Sequence, residues 1–290
     1  MQDSGEMAVE NEQRSEIFRF NFHDRSEEMS AVMQMCIAPG GINEAFLFVM
    51  TEGLICGMRS NLPEKRGDWQ CGGLSFSPEG GGWRLTFSGQ LASMTEDGPI
   101  PIDASMDVLW TPLNDDFVQQ HGVRNSEKIA TLEQHWRYGE AVGSLQLGEE
   151  GGRVRGLGAM GYVQDNPESS LRGTRISCQL DRRTAFDITL LGVSEKQIPS
   201  GFVHRDGESI PIRHAELDIE YSMRGRPVSF DLHIVDAKGR RHIIQGEALR
   251  EAVIPIDMES RRELLFEILT RISWLGKEGY GITEYYMEQS

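Results

Sequence analysis

Cysteine is scarce in this chain of 290 residues. Cys36, Cys56, Cys71 and Cys178 lie far apart, with no CxxC pair among them. A disulfide scaffold and a zinc ribbon are thereby excluded, and buried free thiols in a reducing cytoplasm are the expectation. Positive charge is also in deficit: 29 Lys and Arg against 45 Asp and Glu leave a net charge of -16. Such a surface repels phosphate backbones, so nucleic acid is not an expected partner. The pairs Arg182-Arg183, Arg240-Arg241 and Arg261-Arg262 stand isolated and form no basic stripe. No apolar run approaches the roughly 20 residues of a membrane-spanning helix. Residues 1–15 are polar and acidic without the apolar centre of a signal peptide, and are expected to be a flexible tail.

Motifs of cofactor and metal chemistry are missing as well. There is no GxxxxGK loop, GxSxG elbow, HExxH or His-x-His spacing. Gly80-Gly81-Gly82 and Gly151-Gly152 read as hairpin turns rather than phosphate cradles. Neither a metal nor a cofactor is expected.

Glycine, by contrast, is plentiful, with 32 residues, and few stretches carry a long helical period. That combination predicts many strands joined by tight turns. Trp83 to Gly89 alternates with period two after a glycine turn, and Met106 to Trp110 is a further strand closed by Thr111-Pro112. Residues 114–127 turn polar and irregular, and read as a connection, with room for a short helix, between two halves. Ala141–Leu147 and Arg153–Val163 predict a hairpin. Ala215, Leu217, Ile219 and Tyr221 alternate with acids, and Val228, Phe230, Leu232 and Ile234 alternate as cleanly. Both segments predict half-buried strands. Leu264 to Leu275 fits a helix face or a strand by period alone, and the Gly276-Lys277-Glu278-Gly279 turn favours a hairpin.

Three segments carry a resemblance. They are Trp136 to Leu147, with Gly143-Ser144-Leu145 inside it; Val154-Arg155-Gly156-Leu157-Gly158; and the closing Gly279-Tyr280-Gly281-Ile282-Thr283-Glu284-Tyr285. In these the chain is similar to the two-domain lipocalin-like proteins of the carotenoid hydratase and AttH group. The likeness covers roughly the second half of the chain; the first half matches only in general pattern. It implies an all-β fold of two lipocalin-like antiparallel β-barrels packed together, with a cavity for a small molecule. It also implies cofactor-independent chemistry on hydrophobic molecules such as isoprenoids and polyketides. Many relatives follow the Gly-x-Gly strand with His-Ser-Trp-Gly, whereas this chain reads Ala159 to Asp165 there. Chemistry resting on that histidine is not carried over.

The domain expectation is therefore a tail, a barrel over residues 16–125 and a second over 126–290. The functional expectation is an acid–base enzyme of hydratase/lyase, isomerase or cyclase type, acting on a hydrophobic small molecule. The alternative is a non-catalytic carrier for a lipid-like ligand. Such chemistry needs an acid of raised pKa in a dry pocket and aromatic faces to steady a developing cation.

His135-Trp136-Arg137-Tyr138 is the densest cluster of functional side chains, and His135 titrates near neutrality. Asp107 shares a strand face with Asp103, as paired carboxylates of divergent pKa would. The candidates for proton transfer are His135, Asp107 and Tyr138, with Glu284 a further one, or else a buried structural acid paired with Arg155 or Arg271. Trp110, Trp136, Tyr162 and Trp274 are the candidate pocket walls. Asp231 and His233 form a possible pair inside a barrel or the wet face of a strand. Association into a homodimer is the default.

Overall fold

A computed structural model describes residues 15–37, 43–61, 69–95, 98–125, 128–165, 173–193, 196–257 and 262–288. The expected N-terminal tail lies outside these residues up to position 14, and Ser15 already opens the first strand. The secondary structure is β throughout, with no helix among the described residues. The chain divides into two compact units. One takes residues up to Gly156 together with Met160–Ser170, and the other takes Leu157–Ala159 and everything from Leu171.

The first unit contains β1 (Ser15–Asp24), β2 (Met29–Ile37), β3 (Asn43–Met50), β4 (Ile55–Ser60), β5 (Gln70–Cys71) and β6 (Leu74–Glu79). It continues with β7 (Gly82–Thr95), β8 (Gly98–Pro112), β9 (Phe117–Asn125), β10 (Lys128–Leu147) and β11 (Glu150–Asp165). Its strands follow the order β4-β3-β2-β1-β11-β10-β8-β7-β6-β5, with β9 on β10. Cys56 and Gly57 of β4 also pair with Ser93 and Ala92 of β7, so the sheet returns on itself.

Alternation decides which side chains go inside. In β8, Ala104, Met106, Val108 and Trp110 are buried, while Ser105, Asp107, Leu109 and Thr111 are exposed. Each large side chain so buried stabilises the fold by about 1.5–3 kcal/mol. Directly paired residues share a face, which carries the apolar set from Trp110 to Trp83 and from Val108 to Leu85.

The boundary expected at residue 125 falls inside the β9–β10 hairpin, where Lys128 pairs with Asn125 and Trp136 with Phe117. The segment read as a connection is thus largely strand. The physical reason is the length of β10: its 20 residues run past the end of β8, and the overhang requires a partner for its backbone groups.

The second unit is a closed antiparallel barrel of β12 (Gly173–Asp181), β13 (Thr184–Val193), β14 (Lys196–Arg205), β15 (Glu208–Tyr221), β16 (Pro227–Asp236), β17 (Arg241–Asp257), β18 (Arg262–Trp274) and β19 (Lys277–Glu288). Each strand pairs with the next, and β19 closes on β12 through pairs from Arg175↔Glu284 to Gln179↔Tyr280. The ambiguous stretch at 264–275 is strand β18, in a hairpin with β19. The inner face collects Ile176, Ile188, Leu232, Ile234, Ile244 and Ile272. Gly201, at φ +124°, lies on this face, and a Cβ there would meet the carbonyl oxygen of Asp187 at 1.9 Å. Only glycine allows β13 and β14 to approach so closely there.

Candidate functional site

His135 lies on the overhang of β10, on the same strand face as Glu133 and Arg137. The short connection before β9 is tied to this overhang. Tyr138 N–H donates to Asn114 Oδ1 at 2.9 Å, and Leu113 N–H donates to the Tyr138 carbonyl at 3.0 Å. These bonds bring Asp116 over β10. His135 Nδ1 is then 2.8 Å from Asp116 Oδ2, its Nε2 is 2.8 Å from Glu133 Oε1, and Arg137 Nε is 3.2 Å from Asp116 Oδ1.

Partial burial of the imidazole works against its charge, but the Asp116 and Glu133 carboxylates outweigh burial and raise its pKa above the ordinary value. Tyr162 of β11 lies beside it, with ring centroids 5.5 Å apart. Its hydroxyl donates to Glu16 Oε1 at 3.2 Å. Burial, then the charge of Glu16, pushes the phenol up to about 12, so it stays neutral and able to donate.

From Tyr162 an aromatic run leads inward. Phe18 stands 4.7 Å from Tyr162, 3.9 Å from Trp69 and 4.8 Å from Trp83. Phe20 continues it, 5.9 Å from Trp83 and 5.7 Å from Trp110. Trp110 is fully buried, and its indole Nε1 has no hydrogen-bond partner among the described residues. An aromatic run therefore begins at a histidine clamped by carboxylates. Elsewhere in this unit, a cleft of about 490 Å³ lies between the β1–β2, β3–β4 and β10–β11 turns. Glu27, Glu28, Glu52 and Glu150 make that cleft polar, unlike the aromatic end.

Other candidates are placed apart. Asp107 points to water and is bound by Arg84, with Nε–Oδ1 2.9 Å and Nη2–Oδ2 2.7 Å. Those hydrogen bonds hold its carboxyl below the usual range, the opposite of a pocket acid. Trp136 and Tyr138 are buried on the face of β10 opposite His135, because successive side chains alternate. Trp136 packs on Gly161, where a Cβ would meet its ring at 1.9 Å.

Glu284 is buried on the outer face of the second barrel, opposite Arg175 in the β12–β19 register. Neither arginine suggested for it is its register partner: Arg271 binds Glu247, and Arg155 lies 3.5 Å from Glu140. Trp274 is inside the second barrel, while Asp231 and His233 face outward and are exposed. One Gly-x-Gly-x-x-Gly spacing, Gly156 to Gly161, lies wholly within β11. A dinucleotide cradle needs a strand, a turn and a helix N-terminus there. No cluster of three metal-ligating side chains occurs among the described residues.

Glu133 was legible as a same-face neighbour two residues before His135. Asp116, Glu16, Phe18, Trp69 and Trp83 carried no such signal, because they arrive from other strands and loops.

Fold and site together define an all-β protein of two lipocalin-like units, one with an acid–base cluster at an aromatic-lined end. No family model matches the sequence, and no curated protein matches it either. Solved structures do. A putative AttH from Nitrosomonas europaea aligns over 99% of this chain and 96% of its own, with TM-score 0.66 and 12% identity. CghA, solved alone and with Sch210972, aligns over 96% of this chain and 89% of its own, with TM-score 0.56 and 10% identity. The chain thus has the AttH-type fold.

Proposed function

We propose that this protein is a cofactor-independent enzyme acting on a hydrophobic small molecule through proton transfer at His135. The observation that carries this reading is the clamp of His135 between Asp116 and Glu133, at the head of the aromatic run from Tyr162 to Trp110. The carboxylates raise the imidazole pKa and so favour its charged form, the form a proton donor needs. A substrate carbonyl or alkene that displaces Glu133 from Nε2 receives that proton. The neutral Tyr162 hydroxyl supplies a hydrogen bond to a developing oxyanion, and the faces of Phe18, Trp69 and Trp83 favour an adjacent cation. Hydration, elimination, isomerisation and cyclisation all draw on this set of groups. That CghA, of the same fold, has been crystallised with Sch210972 supports a fold that takes a bound compound.

The test is native mass spectrometry of the purified protein before and after extraction with organic solvent, then turnover assays on the class of molecule recovered. His135→Ala is expected to lower turnover by about 10²–10⁴-fold. Unchanged binding together with absence of turnover in the wild type would establish the carrier instead.

A further inference from the structure

The second barrel holds a polar cluster that the His135 site does not use. Asp236 ends β16 and is wholly buried. Its Oδ1 accepts the N–H groups of Lys238 at 2.8 Å and Arg240 at 3.0 Å, which fixes the turn into β17. Its Oδ2 lies 3.1 Å from His242 Nε2. His242 pairs with Ile234 across β16–β17, so its ring is on the inner face of the barrel. Burial opposes the charge of Asp236, but the hydrogen bonds from Arg240, His242 and Lys238 outweigh it and hold the carboxyl below its usual range. A carboxylate only accepts, so Nε2 donates to Asp236, and in the tautomer so fixed Nδ1 is an acceptor. That nitrogen makes no hydrogen bond among the described residues.

Trp274, the last residue of β18, stands edge-on to His242 with ring centroids 5.5 Å apart. It is 2% exposed, and its Nε1 has no acceptor among the described residues. A fastener for the turn accounts for Asp236 and for one nitrogen of His242. It leaves the indole N–H unexplained, since buried donors in folded proteins are overwhelmingly paired.

We propose that this end of the second barrel is a separate ligand site, which seats the hydroxyl group of an apolar molecule between His242 Nδ1 and Trp274 Nε1. A hydroxyl donates and accepts at once, as an imidazole acceptor beside an indole donor requires. The inner face around them, Leu232, Ile234, Ile244, Ile272 and Phe186, is apolar, which suits an apolar body.

The experiment is a titration of the full-length protein with 1-butanol through 1-decanol and with the matching alkanes. The readout is the indole Nε1–H resonance of Trp274, assigned sequentially by NMR. A saturable downfield shift with one or more alcohols, and none with the matching alkanes, is the expected result. In His242→Phe the alcohol affinity should fall at least tenfold while the resonance remains in place. A Trp274 resonance that no alcohol moves, or that alkanes move equally, overturns the proposal and leaves an ordered water as its partner. Should the variant fail to fold, the wild-type titration decides alone.

Discussion

Glu284 stands directly opposite Glu267 across β18–β19 and opposite Arg175 across β12–β19, all three buried on the outer face of the barrel. Arg175 in turn makes a two-point contact with buried Asp187, Nε–Oδ1 3.1 Å and Nη2–Oδ2 2.7 Å. Removing the guanidinium strands a buried carboxylate. Arg175→Ala should therefore cost about 3–5 kcal/mol in denaturant unfolding, whereas Arg175→Met with Asp187→Leu should recover only the part of that loss that comes from Asp187, since buried Glu284 stays opposite the new side chain.

The clamp on His135 makes stability depend on pH in a stated direction. Its folded pKa is raised above the ordinary 6.5 by the two carboxylates, against partial burial. The stabilisation is thus fully present below about pH 6.5 and is lost as pH rises through the folded value. Denaturation midpoints measured from pH 5.5 to 9 should show the wild type converging on His135→Gln as the pH increases. A constant gap between the two would place the contribution of His135 in packing rather than in charge.

Strands were legible wherever one face meets water, because alternation then appears in the sequence: β8, β15 and β16 are of this kind. β10 was harder to read, since its buried residues Gln134, Trp136 and Tyr138 share a face opposite His135, itself part-buried. Period two cannot tell two covered faces apart. Asp107 was read as a pocket acid although β8 alternates cleanly, since nothing local announces that Arg84 binds it from the neighbouring strand. His135 was identifiable as a titratable group near neutrality. Asp116 was not, because its position depends on Asn114 and Leu113 bonding the backbone of Tyr138 across 24 residues.

Asp24 ties the β1–β2 turn to β11. Its Oδ1 accepts from Ser26 N at 2.9 Å and Ser26 Oγ at 2.7 Å, and its Oδ2 accepts from Arg155 N at 2.6 Å. Burial opposes the charge, but the donors outweigh it and hold the carboxyl below 3.8. Its stabilisation is present above about pH 3.8 and is lost as pH falls through the lower folded value. Asp24→Ala should destabilise the protein by about 2–4 kcal/mol at pH 7, through charge-assisted hydrogen bonds lost from a buried turn. Its acid unfolding should also be less steep than that of the wild type.

The contact between Gly161 and Trp136 predicts a size effect with a specific rescue. A Cβ at Gly161 would sit 1.9 Å from Trp136 Cζ3, and the indole is 4% exposed, with little room to withdraw. Gly161→Ala should therefore destabilise the protein by about 1–3 kcal/mol, the usual cost of overpacking. The displaced indole should also alter the near-ultraviolet circular dichroism. Gly161→Ala in a Trp136→Leu background should cost less than in the wild type, since the smaller side chain leaves the new methyl group room. Equal costs in the two backgrounds would mean that the strain comes from the β11 backbone and not from the indole, which double-mutant unfolding curves resolve directly.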